Sequence, residues 1–370
     1  MRQFPASPIT ALVDESPRYN LGESFGPHLS VADVLDPGDL AQLARLSLGY
    51  GTSAGDAALR AQIAGRHGVA EDQVLITAGA ASALFLLTLV CGDGEIVAGL
   101  PAYPPMLDAL RGVGAQVVTV RSRFCDGYRV NLDEFRAALS VRTRLIMFAS
   151  PQNPSGVALT RGEVAEMLAA ASSRCPEAIV LIDETFREAT FGTAPVSTFA
   201  GMSPRVVTCG SVSKAYGAPG LRIGWLTVAE PRLREQLRLA KFNSSISCGV
   251  LDEFLAARLL SRADQVLASR GAAMTEARAI VERWVGEHAD QLRWLRPEAG
   301  AFCCVQLDPD TFGPSAIRRF HDRLAEQQTM VAPGPWFGDS AQVMRLGFAY
   351  EPPGQLEKGL AVITDALAGC

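Results

Sequence analysis

Residues 206–228 read VVTCGSVSKAYGAPGLRIGWLTV, and the reading of the whole chain turns on them. The apolar run VVT is a short buried strand, Ser211, Ser213 and Lys214 follow it, and Arg222 stands ahead of a second apolar run at 223–227. Small hydroxyls, turn amides and a guanidinium suit an anion such as a phosphate. The first two donate neutral hydrogen bonds, and arginine adds a bidentate charge-assisted one. A lysine held beside that cation and away from water loses proton affinity, which favours imine formation with a carbonyl.

Similar short Val/Ile/Leu runs occur at 73–77, 95–98, 116–120, 145–148 and 179–182, separated in many places by helical patterns such as 56–66 and 80–89. Near-continuous apolar strands alternating with helices predict an α/β fold. Its sheet is mostly parallel, with helices on both faces, and builds its sites at the strand ends. From about residue 250 a long helical region leads to strands near Phe302 and Val343, which predicts a smaller α+β domain. The Pro- and Gly-punctuated SPRYNLGESFGPH near the start suits an extended arm. The expected organisation is an arm over 1–40, on the substrate side and associated with the small domain, a large domain over 41–250 and a small domain over 251–370.

Two more strand ends carry chemistry. Asp183 closes the run IVLID, so a carboxylate is delivered from a buried strand to the sheet's edge, where it needs a cationic partner. Were that partner a pyridinium nitrogen, Asp183 would keep it protonated and make the ring an electron sink. Asn153 lies in the rigid turn PQNPSG, placed to hydrogen-bond a ring oxygen, and Tyr103, in LPAYPP, is placed to stack on a ring face. Each residue has an ordinary structural role when taken singly. Their conjunction at successive strand ends does not.

The turn SPQNPSG, the strand end DETF and the run SVSKAYGAPGLRIGW, in this order, resemble the class I/II aminotransferases of pyridoxal-phosphate fold type I, and the resemblance covers nearly the whole chain. It implies a large domain with a seven-stranded sheet and pyridoxal 5'-phosphate as cofactor. Lys214 would be the Schiff-base lysine and proton shuttle, Asp183 would sit on the ring nitrogen, Asn153 on the ring oxygen and Tyr103 on the ring face. Ser211, Ser213 and Arg222 would hold the phosphate. Gly79 and Ala80, in LITAGAASAL, resemble the family's glycine turn at a helix N-terminus that meets the same phosphate. Tyr50 resembles a tyrosine that reaches the partner subunit's cofactor, which implies a homodimer with composite sites. Arg345, in VMRLGFA, resembles the arginine that forks onto the substrate carboxylate, and Gly22 the arm glycine beside the substrate. Glu23, next to it, is placed to face the substrate side chain and would favour a basic, arginine-like amino acid. Phe186 departs from the pattern: many members carry there a tyrosine that donates to the ring oxygen.

The implied reaction is transamination between an L-amino acid and a 2-oxo acid. The same cofactor site also serves lyases, cyclases, decarboxylases and oxidases, and that alternative stays open. A regulator with an added DNA-binding domain is set aside, since about 35 residues precede the core. The triplet Gly49, Gly51 and Ala54 fits a dinucleotide pattern, but the residues before it read as helix where a strand is required. A composition 48% hydrophobic and 20% charged, with net charge -5 and no Lys/Arg block, fits a globular protein without a nucleic-acid footprint. No signal peptide and no membrane span are expected, so the chain reads as cytoplasmic. The eight cysteines lack metal-ligand spacing and read as mostly reduced core residues, and the four histidines are spread apart, with His28 following the arm.

Overall fold

The computed structural model describes residues 3–370. In chain order its strands are β1 (Tyr19–Asn20), β2 (Val74–Thr77), β3 (Glu95–Leu100), β4 (Gln116–Arg121), β5 (Thr143–Ala149), β6 (Ile179–Asp183), β7 (Val206–Ser211), β8 (Gly224–Val228), β9 (Leu292–Leu295), β10 (Phe302–Leu307), β11 (Thr329–Met330), β12 (Ala332–Pro333) and β13 (Val343–Gly347). Among the described residues β2-β8-β7-β6-β5-β3-β4 form a seven-stranded sheet. Alternate residues of its strands enter two separate cores. Leu145, Met147 and Leu181 join Leu84 and Leu87 of the helix Gly79–Cys91 on one face. Ile146, Phe148, Val180 and Ile182 join Phe135 and Val164 on the other. Burial on both faces is why these strands read as continuous apolar runs instead of alternating ones.

The pairs from β4 to β7 are parallel, whereas β8 runs antiparallel to both β7 and β2. Residues 212–223, between β7 and β8, contain only the 3-10 turn Pro219–Leu221, so no crossover helix returns the chain to its starting edge and β8 comes back in the opposite sense. The strand order reverses at β3, which lies between β4 and β5. Tyr103 follows β3, Asn153 follows β5, Asp183 ends β6 and Ser211 ends β7, all at one edge of the sheet beside this switch point.

The C-terminal part places β12-β13-β10-β9 in an antiparallel sheet. The helix Ala263–Glu287 packs along it, burying Met274, Ala277, Val281 and Trp284 at helical spacing. The N-terminal arm crosses to this part: β1 pairs in parallel with β11, and the Gly347 amide donates to the Leu21 carbonyl (2.8 Å). A methyl group at Gly347 would overlap the Glu23 carbonyl oxygen, so only glycine lets the arm pass this close. The arm is less extended than its sequence suggests. It contains a 3-10 turn at Pro8–Thr10 and short helices at Ala11–Asp14 and Val31–Val34, the last closed by a capping box in which the Ser30 amide donates to Asp33 (2.7 Å). Among the described residues no helix is long and apolar enough to cross a membrane.

Candidate active site

The turn after β7 carries Lys214 into a cavity of about 910 Å³. Its Nζ donates to the Ser24 Oγ (2.9 Å) and stands 4.6 Å from the centroid of the Phe25 ring. Removal from water pulls the amine down to about 8; Arg345 and Arg222 push the same way, while Glu23 and Asp183 oppose them. The lysine is therefore far closer to its neutral, nucleophilic form at neutral pH than an exposed one.

Beside it is a site built for an anion. The helix Gly79–Cys91 begins at Ala78, which offers no side-chain cap, so its first amides lack the partners a helix start needs. Gly79 is left-handed at φ +77°, and a Cβ there would run into an Arg222 nitrogen; a Cβ on Gly224 would lie 2.5 Å from the Ala80 amide. Arg222 takes φ +50°, and its Nη1 donates to the Pro219 carbonyl (2.8 Å), fixing the guanidinium at the cavity wall. Ser211 and Ser213 line the same cavity.

Deeper in, Asp183 accepts from the Thr185 amide (2.9 Å) and Thr185 Oγ1 (2.6 Å), both at Oδ1. Among the described residues it forms no ion pair, and burial pushes its carboxyl above the usual range against the pull of Thr185. A buried carboxylate with no cation is incomplete until one arrives. Arg345, on β13, is the converse: fully buried, with Nη1 donating to Asn153 Oδ1 (2.7 Å), Nη2 to the Gly22 carbonyl (2.5 Å), and Nε without a partner. Its guanidinium lies 4.9 Å from the Phe337 ring centroid and 5.4 Å from that of Phe302. Desolvation draws its pKa down to about 10 although Glu23 opposes the shift. Such a cation needs an anionic ligand.

A model of the aminotransferase class I and II family matches residues 19–363. The chain belongs to that family. The chain is 32% identical to capreomycidine synthase of Streptomyces vinaceus over 90% of its own length and 85% of the relative's. It is 29% identical to the arginine–pyruvate transaminase AruH of Pseudomonas aeruginosa, covering 86% and 83% of the two chains. A pyridoxal-phosphate-dependent aminotransferase from Streptococcus suis has the same fold, with a TM-score of 0.89, 24% identity, and 99% and 98% of the chains covered. Its cofactor is pyridoxal 5'-phosphate. The donor set fits that molecule: an open helix start, two serines and an arginine for the phosphate, a buried carboxylate without an ion pair for a cationic ring nitrogen, and a depressed lysine amine in the same cavity.

The structure of this aminotransferase brings Tyr103, Asn153, Asp183, Phe186 and Glu23 to the same cavity as Lys214, Arg222, Ala80 and the two serines. Tyr103 is half-buried, and Phe186 is buried edge-on to Phe302 at 4.8 Å. Gly22 contributes its carbonyl to Arg345, and Gly79 packs on Arg222. Tyr50 stands apart: it is 85% exposed and does not line this cavity within the single chain. Sequence reasoning missed Phe25, Tyr350 and Glu351, which line the cavity, and Arg270, whose Nε and Nη1 tie the Ala215 carbonyl to that of Pro27 and so fasten the lysine turn to the arm.

Proposed function

We propose that this member of the aminotransferase class I and II family moves the amino group of an L-amino acid to a 2-oxo acid, with Lys214 as the residue that anchors the cofactor and carries the proton. The observation that carries the reading is the position of the Lys214 amine, held in one cavity with the Arg222 and Gly79 anion cradle and the unpaired Asp183 carboxylate. When bound, pyridoxal phosphate supplies an electron sink that acidifies the substrate's α-carbon proton. Asp183 holds a proton on the ring nitrogen, Asn153 donates to the ring oxygen, Tyr103 covers a ring face, and Ser211, Ser213, Ala80 and Arg222 hold the phosphate. Arg345 and the Asn153 it touches grip the substrate carboxylate, with the arm at Gly22 and Glu23 closing the site against water. Once its amine is free, Lys214 is the base positioned for the α proton, and the pull of burial toward about 8 keeps it ready to accept one.

The segments 41–250 and 251–370 are read as large and small domains, with 1–40 as an arm against the latter. A homodimer is proposed through the surface around Tyr50, where Leu48 is also exposed and the neighbouring Gly51 packs beside Val250, so that Tyr50 reaches the partner subunit's site. A second reading uses the same site for a cyclase, lyase, decarboxylase or oxidase. The resemblance to capreomycidine synthase and the loss of a ring-oxygen donor at Phe186 support it. Incubation with panels of amino acids and 2-oxo acids decides between them: ping-pong amino transfer is expected, and product formed without any amino acceptor establishes the second reading instead.

A further inference from the structure

The charges of the cavity are sorted. Lys214 and Arg222 line the side toward the sheet, with Arg345 behind Asn153, whereas the side made by the arm carries Glu15, Glu23 and Glu351 and, among the described residues, no lysine or arginine; the His28 imidazole also lines it, 5.1 Å from the Phe25 ring and 5.8 Å from that of Tyr350. Glu23 is 8% exposed, and only its Oε2 is occupied, by the Ser24 amide (3.0 Å); its Oε1 takes no hydrogen bond and the residue makes no ion pair among those described. Glu351 is half-buried, with Oε1 fixed by the Asn20 amide (2.9 Å). Tyr350 lines the same cavity, its ring edge-on to Phe25 at 5.8 Å. In the cofactor-free protein the charge of Glu23 is balanced by nearby Lys214 and Arg345. With cofactor and substrate bound, Lys214 serves first the cofactor and then the α proton, and Arg345 serves the substrate carboxylate, so the buried Glu23 has no cation dedicated to it.

We propose that the arm side selects an amino acid ending in a guanidinium or ammonium group, held by Glu23 and Glu351 against the rings of Phe25 and Tyr350, and an amino acceptor that is a 2-oxo acid without a second carboxylate. The inference rests on the site assignment above and deepens it. A cationic terminus restores the charge balance of Glu23, gains charge-assisted hydrogen bonds and lies over aromatic faces. A distal carboxylate meets two anions and an aromatic wall whose faces repel it, which sets this site against dicarboxylate donors and acceptors alike.

Binding to the holoenzyme of three acids of equal length tests this by calorimetry: arginine lacking its α-amino group, the unbranched apolar monocarboxylate, and the dicarboxylate. None carries an amino group, so the order is independent of turnover, and a failed order leaves the transamination reading standing; a panel without amino transfer counts against that reading alone. The guanidino acid is expected to bind about tenfold more tightly than the apolar acid, with no measurable binding of the dicarboxylate. Glu23→Gln is expected to remove most of that preference, and Glu351→Gln a smaller part, in variants whose circular dichroism matches the parent's. A dicarboxylate that binds as well as the guanidino acid, no discrimination among the three, or a preference that survives both substitutions overturns the proposal.

Discussion

Replacing Asp183 by asparagine changes one charge while preserving shape, and the hydrogen bonds around it fix the outcome. Both Thr185 donors point at Oδ1, so the amide oxygen of the new side chain takes that place and, on the proposed placement, its NH2 would face the cofactor nitrogen. The variant therefore donates where the parent accepts, and the nitrogen is left unprotonated. Replacing a charge-assisted bond by a neutral one removes about 1–1.5 kcal/mol, or about tenfold in cofactor affinity. Turnover is expected to fall further, by about 10²–10⁴, since the electron sink depends on that proton. The cofactor-free protein moves the other way. Burial raises the Asp183 carboxyl above its ordinary 3.8, so the folded state holds a proton that the unfolded chain has lost, and the stability tied to this group declines as pH rises above 3.8. Asparagine relieves that penalty at neutral pH, so the thermal midpoint rises, and the gain fades as the pH falls toward 3.8. Calorimetric melts of cofactor-free protein, cofactor titration and steady-state rates measure all three quantities. Turnover within a factor of about 3 of the parent's would refute the placement of Asp183 on the ring nitrogen.

Three further outcomes are expected. On the proposed placement Phe186→Tyr would add a donor beside the ring oxygen and should lower the pH at which the bound chromophore titrates; an unchanged or raised value means that Phe186 is not at that oxygen or that another donor already fills the place. Arg345→Lys keeps a charge but loses the fork, so KM for the amino acid should rise about tenfold or more with a smaller change in kcat, and an unchanged KM would separate Arg345 from the substrate carboxylate. Sedimentation should give a dimer, and Tyr50→Ala should weaken cofactor binding although Tyr50 touches nothing of its own cavity; a fully active monomer would contradict the composite site.

The parallel strands were legible because burial on both faces turns β5 and β6 into unbroken apolar runs, and a polar residue at the end of such a run has few places to go but the sheet's edge. That logic reaches Asp183, Asn153, Tyr103 and Lys214, each within a few residues of its strand. It does not reach Phe25, Tyr350 and Glu351. Their meeting depends on the arm crossing Gly347, a contact between segments more than 300 residues apart with no local pattern to announce it. The capping box of Ser30 and Asp33 is local, yet the helix it starts is a single turn inside a segment whose Pro and Gly residues read as an extended arm. Burial of Arg345 follows from the pairing of β13 with β10 and β12, which a five-residue run cannot specify.

The proposed chemistry depends above all on Lys214 carrying the cofactor. The chain has three lysines, and the other two differ sharply from it: Lys241 is buried away from the cavity beside Glu253, and Lys358 is exposed on the C-terminal helix. Reducing the purified holoenzyme with borohydride, digesting it and weighing the peptides tests the assignment directly. The cofactor's mass is expected on the peptide containing Lys214 and absent from Lys214→Ala protein; the same mass on the Lys241 or Lys358 peptide, or labelling that persists in the variant, would contradict it.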